Sequence, residues 1–145
     1  MKNLFLSLLF FFISVTSAGS LDLSIKGIEG AGNITAIIYD SEKAYNKDVK
    51  KRSSESYGTL IGVFPVSKDQ KELSISYKTL DGRYVVFVFN DVNKNNDLDS
   101  NFLGIPKEPI GFTNDAWGFM GPSYEEASIE IKGLTRAIIN LRKNR

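Results

Sequence analysis

Cysteine and histidine are both absent from the 145-residue chain. Without cysteine there is no disulfide framework, no thiolate metal site and no lipid-modified cysteine behind a leader. Without histidine, Ser-His-Asp and Cys-His catalysis and the usual zinc sites are excluded. An enzyme built on this chain would have to use carboxylates, lysine, tyrosine or a metal. Neither sign of charge dominates: 18 Lys and Arg stand against 17 Asp and Glu, a net charge of +1. Nucleic acid is therefore not an expected partner. The Lys50, Lys51, Arg52 group and the Arg142, Lys143, Arg145 tail read as solvated charges. Long apolar runs are missing too, apart from Leu4 to Val15, which only Ser7 and Ser14 interrupt. A membrane span needs about 20 apolar residues, so this run is too short.

What the N-terminus does contain is a leader pattern. Lys2 is a basic start, Leu4 to Val15 an apolar centre, and Thr16, Ser17, Ala18, Gly19 and Ser20 are small. Residues 1–20 read as a signal peptide, cut after Ser17, Ala18 or Ser20. Residues 21–145 are then one domain with no membrane span, periplasmic or secreted. With Lys2 gone, acidic and basic residues balance. About 125 residues suffice for one core and not for two.

Alternation of apolar and polar residues marks strands. Leu21, Leu23 and Ile25 open the series, and Gly27, Gly30 and Gly32 break it before Asn33 to Tyr39. The pair is expected to form a hairpin. Ser41 to Tyr57 is polar and lysine-rich, a surface excursion with a helical turn near Glu42 to Asn46. Leu60 to Val66 follows, and its Pro65 places it at an edge. Leu73, Ile75 and Tyr77 form a fourth strand. Arg83 to Phe89 is apolar on both faces, as a central strand is. The preceding Leu80-Asp81-Gly82-Arg83-Tyr84 has the form of a tyrosine corner, with a plain core tyrosine as the alternative. Ala127, Ile129, Ile131 and then Ala137, Ile139, Leu141 complete about seven short strands. The expected fold is all-β, an antiparallel sandwich with a long ordered loop.

Chemistry concentrates after the central strand. Asp91, Asn93, Asn95, Asp97 and Asp99 place oxygen-bearing side chains at alternate positions. This D-x-N-x-N spacing opens an EF-hand-type loop, and Ca²⁺ takes six to eight oxygens. Two positions depart from it. Asn96 stands where Gly is usual, and Phe102 where a bidentate Glu is usual. Asn101, Glu108 and Asp115 are candidates to supply the missing carboxylate or oxygen. Asp97 would contribute charge and its backbone carbonyl. The competing reading is an Asx-rich turn that needs no metal. Asn101 to Tyr124 then runs without periodicity, and stretches of that kind are usually functional or disordered. Its apolar residues argue for order, either as a small core or as a ligand surface built on Phe112, Trp117 and Phe119.

From Tyr84 to Ala127 the chain resembles the bacterial domain-of-unknown-function 2141 family. The resemblance is carried by Asp91-x-Asn93-x-Asn95-x-x-Leu98-Asp99, by Asn101-Phe102-Leu103-Gly104-Ile105-Pro106-x-Glu108 and by Gly111-Phe112-Thr113-Asn114. Gly118-Phe119-x-Gly121-Pro122-Ser123-Tyr124-Glu125-Glu126-Ala127 completes it. Asn90 and Asn96 replace the family's usual His and Gly. The resemblance implies an exported domain with an immunoglobulin- or transthyretin-like sandwich, and it implies no reaction.

Three functions remain open at this point. One is a non-catalytic, calcium-stabilised module binding a protein, glycan or envelope component. A second is a glycan hydrolase using two carboxylates among Asp99, Glu108, Asp115, Glu125 and Glu126. The third is a structural accessory domain.

Overall fold

The structure, a computed structural model, describes residues 17–51 and 56–143. The apolar centre of the leader lies outside these residues, as do Arg52 and Arg145 of the two basic groups. Eight strands form two facing sheets. Among the described residues no helix is long and apolar enough to cross a membrane.

The first sheet has the order β4-β1-β8, from Glu72–Leu80, Ala18–Lys26 and Leu134–Asn140. The second has the order β3-β2-β5-β6, from Thr59–Val66, Gly32–Tyr39, Gly82–Asp91 and Ile110–Phe112. The short β7, Ile129–Ile131, pairs with the start of β5. The all-β sandwich is thus present, with one more strand than the sequence suggested. The extra strand is β6, three residues inside the stretch read as aperiodic. All pairs are antiparallel except β1–β8, which joins the first strand to the last in parallel.

Leu21, Leu23 and Ile25 face Ile34, Ala36, Ile38, Val86 and Val88 across the core between the sheets. Tyr39, Val85, Phe87, Phe89 and Phe112 lie on the other side of the second sheet, in a separate aromatic cluster. β5 is apolar on both faces because each face has its own core. Burying such a side chain stabilises the fold by about 1.5–3 kcal/mol. The tyrosine corner is present: Tyr84 Oη donates to the Leu80 carbonyl at 3.1 Å.

The expected β1–β2 hairpin is not formed; the two strands lie in different sheets. Gly27, at φ 77°, turns the chain out of the first layer, against the Leu141 backbone where a Cβ would sit 2.7 Å from a carbonyl oxygen. Ala127 also departs from the expectation. It closes a one-turn helix, α2 (Tyr124–Ala127), before β7 begins. Ser123 and Glu126 cap that helix reciprocally, a Ser-x-x-Glu box that the strand reading overlooked.

The polar excursion does contain a helical turn, α1 (Glu42–Tyr45), continued by a π-type turn over Asn46–Lys50. Its anchor is Tyr45, fully buried in the aromatic cluster. β3 is an edge strand, as its proline suggested.

Candidate functional site

Two features adjoin on the outer side of the second sheet: the Asp/Asn loop and an apolar groove. The loop starts at Asp91, the buried last residue of β5. Its Oδ1 and Oδ2 accept the Asn95 and Asn96 amides at 3.2 and 2.8 Å. Asn93 Oδ1 accepts from Asn95 N–H, and Asn95 Oδ1 from Asp97 N–H, so successive Asx turns wind the chain. Lys94 and Asn96 take left-handed conformations at φ 61° and 62°. That is why Asn serves at the position where Gly is usual.

The loop is closed by side chains. Asn93 Nδ2 donates to Asp99 Oδ2 at 2.5 Å, and Asn95 Nδ2 reaches Asp99 Oδ1 at 3.2 Å. Of the three candidates for the missing ligand, Glu108 alone is brought to the loop. It is buried, and its carboxylate accepts Val92 N–H at 2.9 Å and Asp99 N–H at 3.3 Å. Burial pushes the Glu108 carboxyl up. The two backbone donors oppose this, and the charges of Asp91 and Asp99 add to it. Asn101 instead caps its own turn, accepting from Leu103 and Ile105 N–H. Asp115 is held elsewhere by Arg142 and Asn140. Asp97 turns its carboxylate onto Leu98 N–H. Among the described residues no three acidic, His or Cys groups gather closely enough to hold a metal by themselves. The five loop residues are therefore brought together as an Asx-turn array, with Asp99 satisfied by amide nitrogens.

The groove has a volume of about 770 Å³. Ile37, Phe87, Phe89 and Phe112 form its floor, Leu60 and Val63 of the edge strand one wall, and Leu98, Phe119 and Met120 its rim. The floor residues share a face because β2 and β5 pair in register, Thr35 opposite Phe89 and Ile37 opposite Phe87. Phe87 stacks on Phe89 and on Phe112, with centroids 5.9 and 4.9 Å apart. Of the three residues expected to form a ligand surface, the structure brings Phe112 and Phe119 to this groove. Phe112 is buried in the floor and Phe119 stands 71% exposed at the mouth. Trp117 does not line it; its ring lies under Arg142, 5.8 Å away. Thr35, Leu60 and Val63 were missed, since alternation marks a strand without saying whether its outer face is covered.

A model of the family DUF2141, described as an uncharacterized protein conserved in bacteria, matches residues 24–139. The chain belongs to that family. No curated protein and no solved structure matches it. Several stretches that carried the DUF2141 resemblance have structural work in this chain. In Gly111-Phe112-Thr113-Asn114, Gly111 leaves no room for a Cβ, which would meet Ile139 Cγ2 at 2.6 Å. Thr113 Oγ1 accepts Val86 N–H at 3.1 Å and donates to the Ala127 carbonyl. It thereby fills the gap between β6 and β7 along β5. Asn114, at φ 58°, donates to the Glu126 and Ser128 carbonyls. Asn90, where the DUF2141 resemblance has His, is fully buried and bonds the Glu29 carbonyl through Nδ2.

Proposed function

We propose that this DUF2141 domain is an exported, non-catalytic module that binds an apolar envelope component in the groove, with the Asp91–Asp99 loop as a calcium-responsive rim. The observation that carries this reading is the aromatic floor. Phe87, Phe89 and Phe112 are packed into a sheet yet border an open 770 Å³ space. Ligand pockets run about 300–1,000 Å³ and are mostly apolar. A glycan would call for a denser set of polar groups. Four of the five carboxylates considered for hydrolysis, Glu125 aside, have partners in the structure: Glu126 accepts from Ser123 N–H and Oγ, which holds its carboxyl below the usual range. Asp115 and Glu108 are tied up likewise, which favours binding over catalysis.

The test is fluorescence of N-phenyl-1-naphthylamine on titration with the protein. Enhancement with a blue shift is expected, and Leu60→Glu, an exposed change on the wall, should weaken it at least about tenfold, a difference of about 1.4 kcal/mol. A Leu60→Glu protein with unchanged circular dichroism and undiminished binding would refute the groove as the site.

Export makes a separate prediction. β1 starts at Ala18, and Ala18, Gly19 and Ser20 pair with Leu80, Thr79 and Lys78. A cut after Ser17 keeps all of these pairings, whereas a cut after Ser20 removes them. Intact mass of the protein recovered from the periplasm should place the N-terminus at Ala18. Recovery in the cytoplasm with Met1 retained would contradict export, and a start at Leu21 would contradict the pairing argument.

A further inference from the structure

Among the described residues, the groove holds one buried side-chain polar atom that the fold leaves unanswered. Thr35 lies in mid-strand on β2, facing the groove between Val63 of β3 and Phe89 of β5. It is only 7% exposed, and its Oγ1 has no hydrogen-bond partner among the described residues. Buried hydroxyls in native proteins nearly always have partners, so one without a partner calls for an explanation. Valine would fill the same space and suit the strand at least as well. Neighbours on both sides are apolar, so the sheet itself offers the hydroxyl nothing.

Charge narrows what could answer it. Among the described residues the groove is lined by no lysine or arginine, and its charged lining residues are Asp48 and Asp97. Asp48 is already engaged by Tyr57 and Gly58 N–H. An anionic headgroup would meet like charge at the rim, in surroundings where Coulomb interactions are strengthened. The Lys50 ammonium, already engaged by the Gly121 carbonyl, is not among the described lining residues. The size suits a small molecule rather than a macromolecular segment.

From these observations we infer that the groove takes an uncharged lipid-like ligand, an aliphatic body carrying a hydroxyl or ester oxygen that hydrogen-bonds Thr35 Oγ1. This rests on the groove being a ligand site. The apolar body covers Phe87, Phe89 and Phe112, and the oxygen partners the Thr35 hydroxyl.

Pyrene, which has no hydrogen-bonding atom, reports occupancy by its fluorescence, and dodecan-1-ol and dodecanoate compete with it. At pH 8 dodecan-1-ol should displace pyrene at least about tenfold more effectively than dodecanoate, as like-charge repulsion demands. Thr35→Val should weaken dodecan-1-ol about three- to tenfold more than it weakens pyrene, the worth of one hydrogen bond. Thr35→Ser, which keeps the hydroxyl, should retain the alcohol affinity and guards against a packing effect of the valine. Equal competition by dodecanoate, or an alcohol affinity that Thr35→Val weakens no more than it weakens pyrene, overturns the inference while leaving the groove a ligand site. If pyrene does not bind the native protein at all, the groove reading itself fails. A dimer in solution that excludes pyrene would put a second copy of the chain on this face, and it overturns the inference as well.

Discussion

Replacing Tyr45 with alanine is expected to cost about 3–5 kcal/mol, the usual loss for a large aromatic removed from a core. The residue sits in a polar, lysine-rich stretch of the chain and is nonetheless fully buried. Its ring meets Tyr39, Tyr124 and Phe112 edge-on, with centroids 5.5, 5.9 and 6.3 Å away. Its Oη donates to the Pro122 carbonyl at 2.8 Å, and burial pushes the phenol up out of its ordinary range. One side chain therefore fastens the excursion to the sheet and to the loop before α2. Next to it, Lys50 Nζ donates to the Gly121 carbonyl, and Gly121 leaves space that Val49 Cγ1 would otherwise contest at 2.8 Å. Val49 and Gly121 also line the groove. Tyr45→Ala should thus weaken N-phenyl-1-naphthylamine binding together with stability. Tyr45→Phe keeps the packing and should cost only about 1–3 kcal/mol, for the unpaired Pro122 carbonyl. Urea unfolding separates the two variants. Equal and small losses would mean that the excursion does not depend on this anchor.

The same residue shows where the sequence stops being informative. A single tyrosine among lysines carries no periodicity, so nothing local marks it as buried. β5, by contrast, was legible because six consecutive apolar residues, Tyr84 to Phe89, permit no exposed face. The tyrosine corner was legible because its parts are adjacent, Leu80 to Tyr84. β6 was not, since Ile110-Gly111-Phe112 is too short to alternate; its strand geometry comes from Phe87–Phe89 on one side. On the other side, Ile110 exchanges backbone bonds with Arg142. The parallel pairing of β1 with β8 joins the two ends of the domain, and no short-range pattern encodes it. Within the candidate site, the loop residues were readable from their spacing. Glu108 was only one of three candidates until the turn at Asn101–Gly104 folded the chain back, with Lys107 N–H on the Asp99 carbonyl at 2.8 Å. The groove was not readable. It needs the outer face of β2 and β5 to be left partly uncovered, and that is decided by loops distant in sequence.

Calcium is expected to raise the thermal midpoint of the native protein, and Asp91→Ala is expected to remove the rise. Asp91, Asp99 and Glu108 are joined through one loop, and the charges of the first two disfavour ionised Glu108. The loop's single cation, Lys94, is exposed. In the closed loop the repulsion is met by amide donors: Asn93 and Asn95 turn their nitrogens to Asp99. An amide presents oxygen or nitrogen according to what it faces, and a 180° flip converts one to the other. A Ca²⁺ ion near Asp99 would favour the flipped amides, turning both Asn side chains from donors to the carboxylate into ligands of the ion, at the expense of the Asx-turn bonds that their Oδ1 atoms accept. The loop backbone, fixed by Asp91 and Glu108 on four N–H groups, need not refold. Binding to the folded state alone adds about 2.7 kcal/mol at a hundred times the dissociation constant. In a domain of this size each kcal/mol moves the midpoint by about 3–6 °C. A rise of several degrees in millimolar CaCl₂, reversed by EDTA and not reproduced by MgCl₂, is the expected result. Asp91→Ala lowers the midpoint in EDTA, because the Asn95 and Asn96 amides lose their acceptor, and should then show no further response to calcium. Identical melting curves for the native protein with and without millimolar calcium would leave the Asx turns as the whole explanation of the loop. The groove would then stand on its aromatic floor alone, since nothing in the packing of Phe87, Phe89 and Phe112 requires the ion.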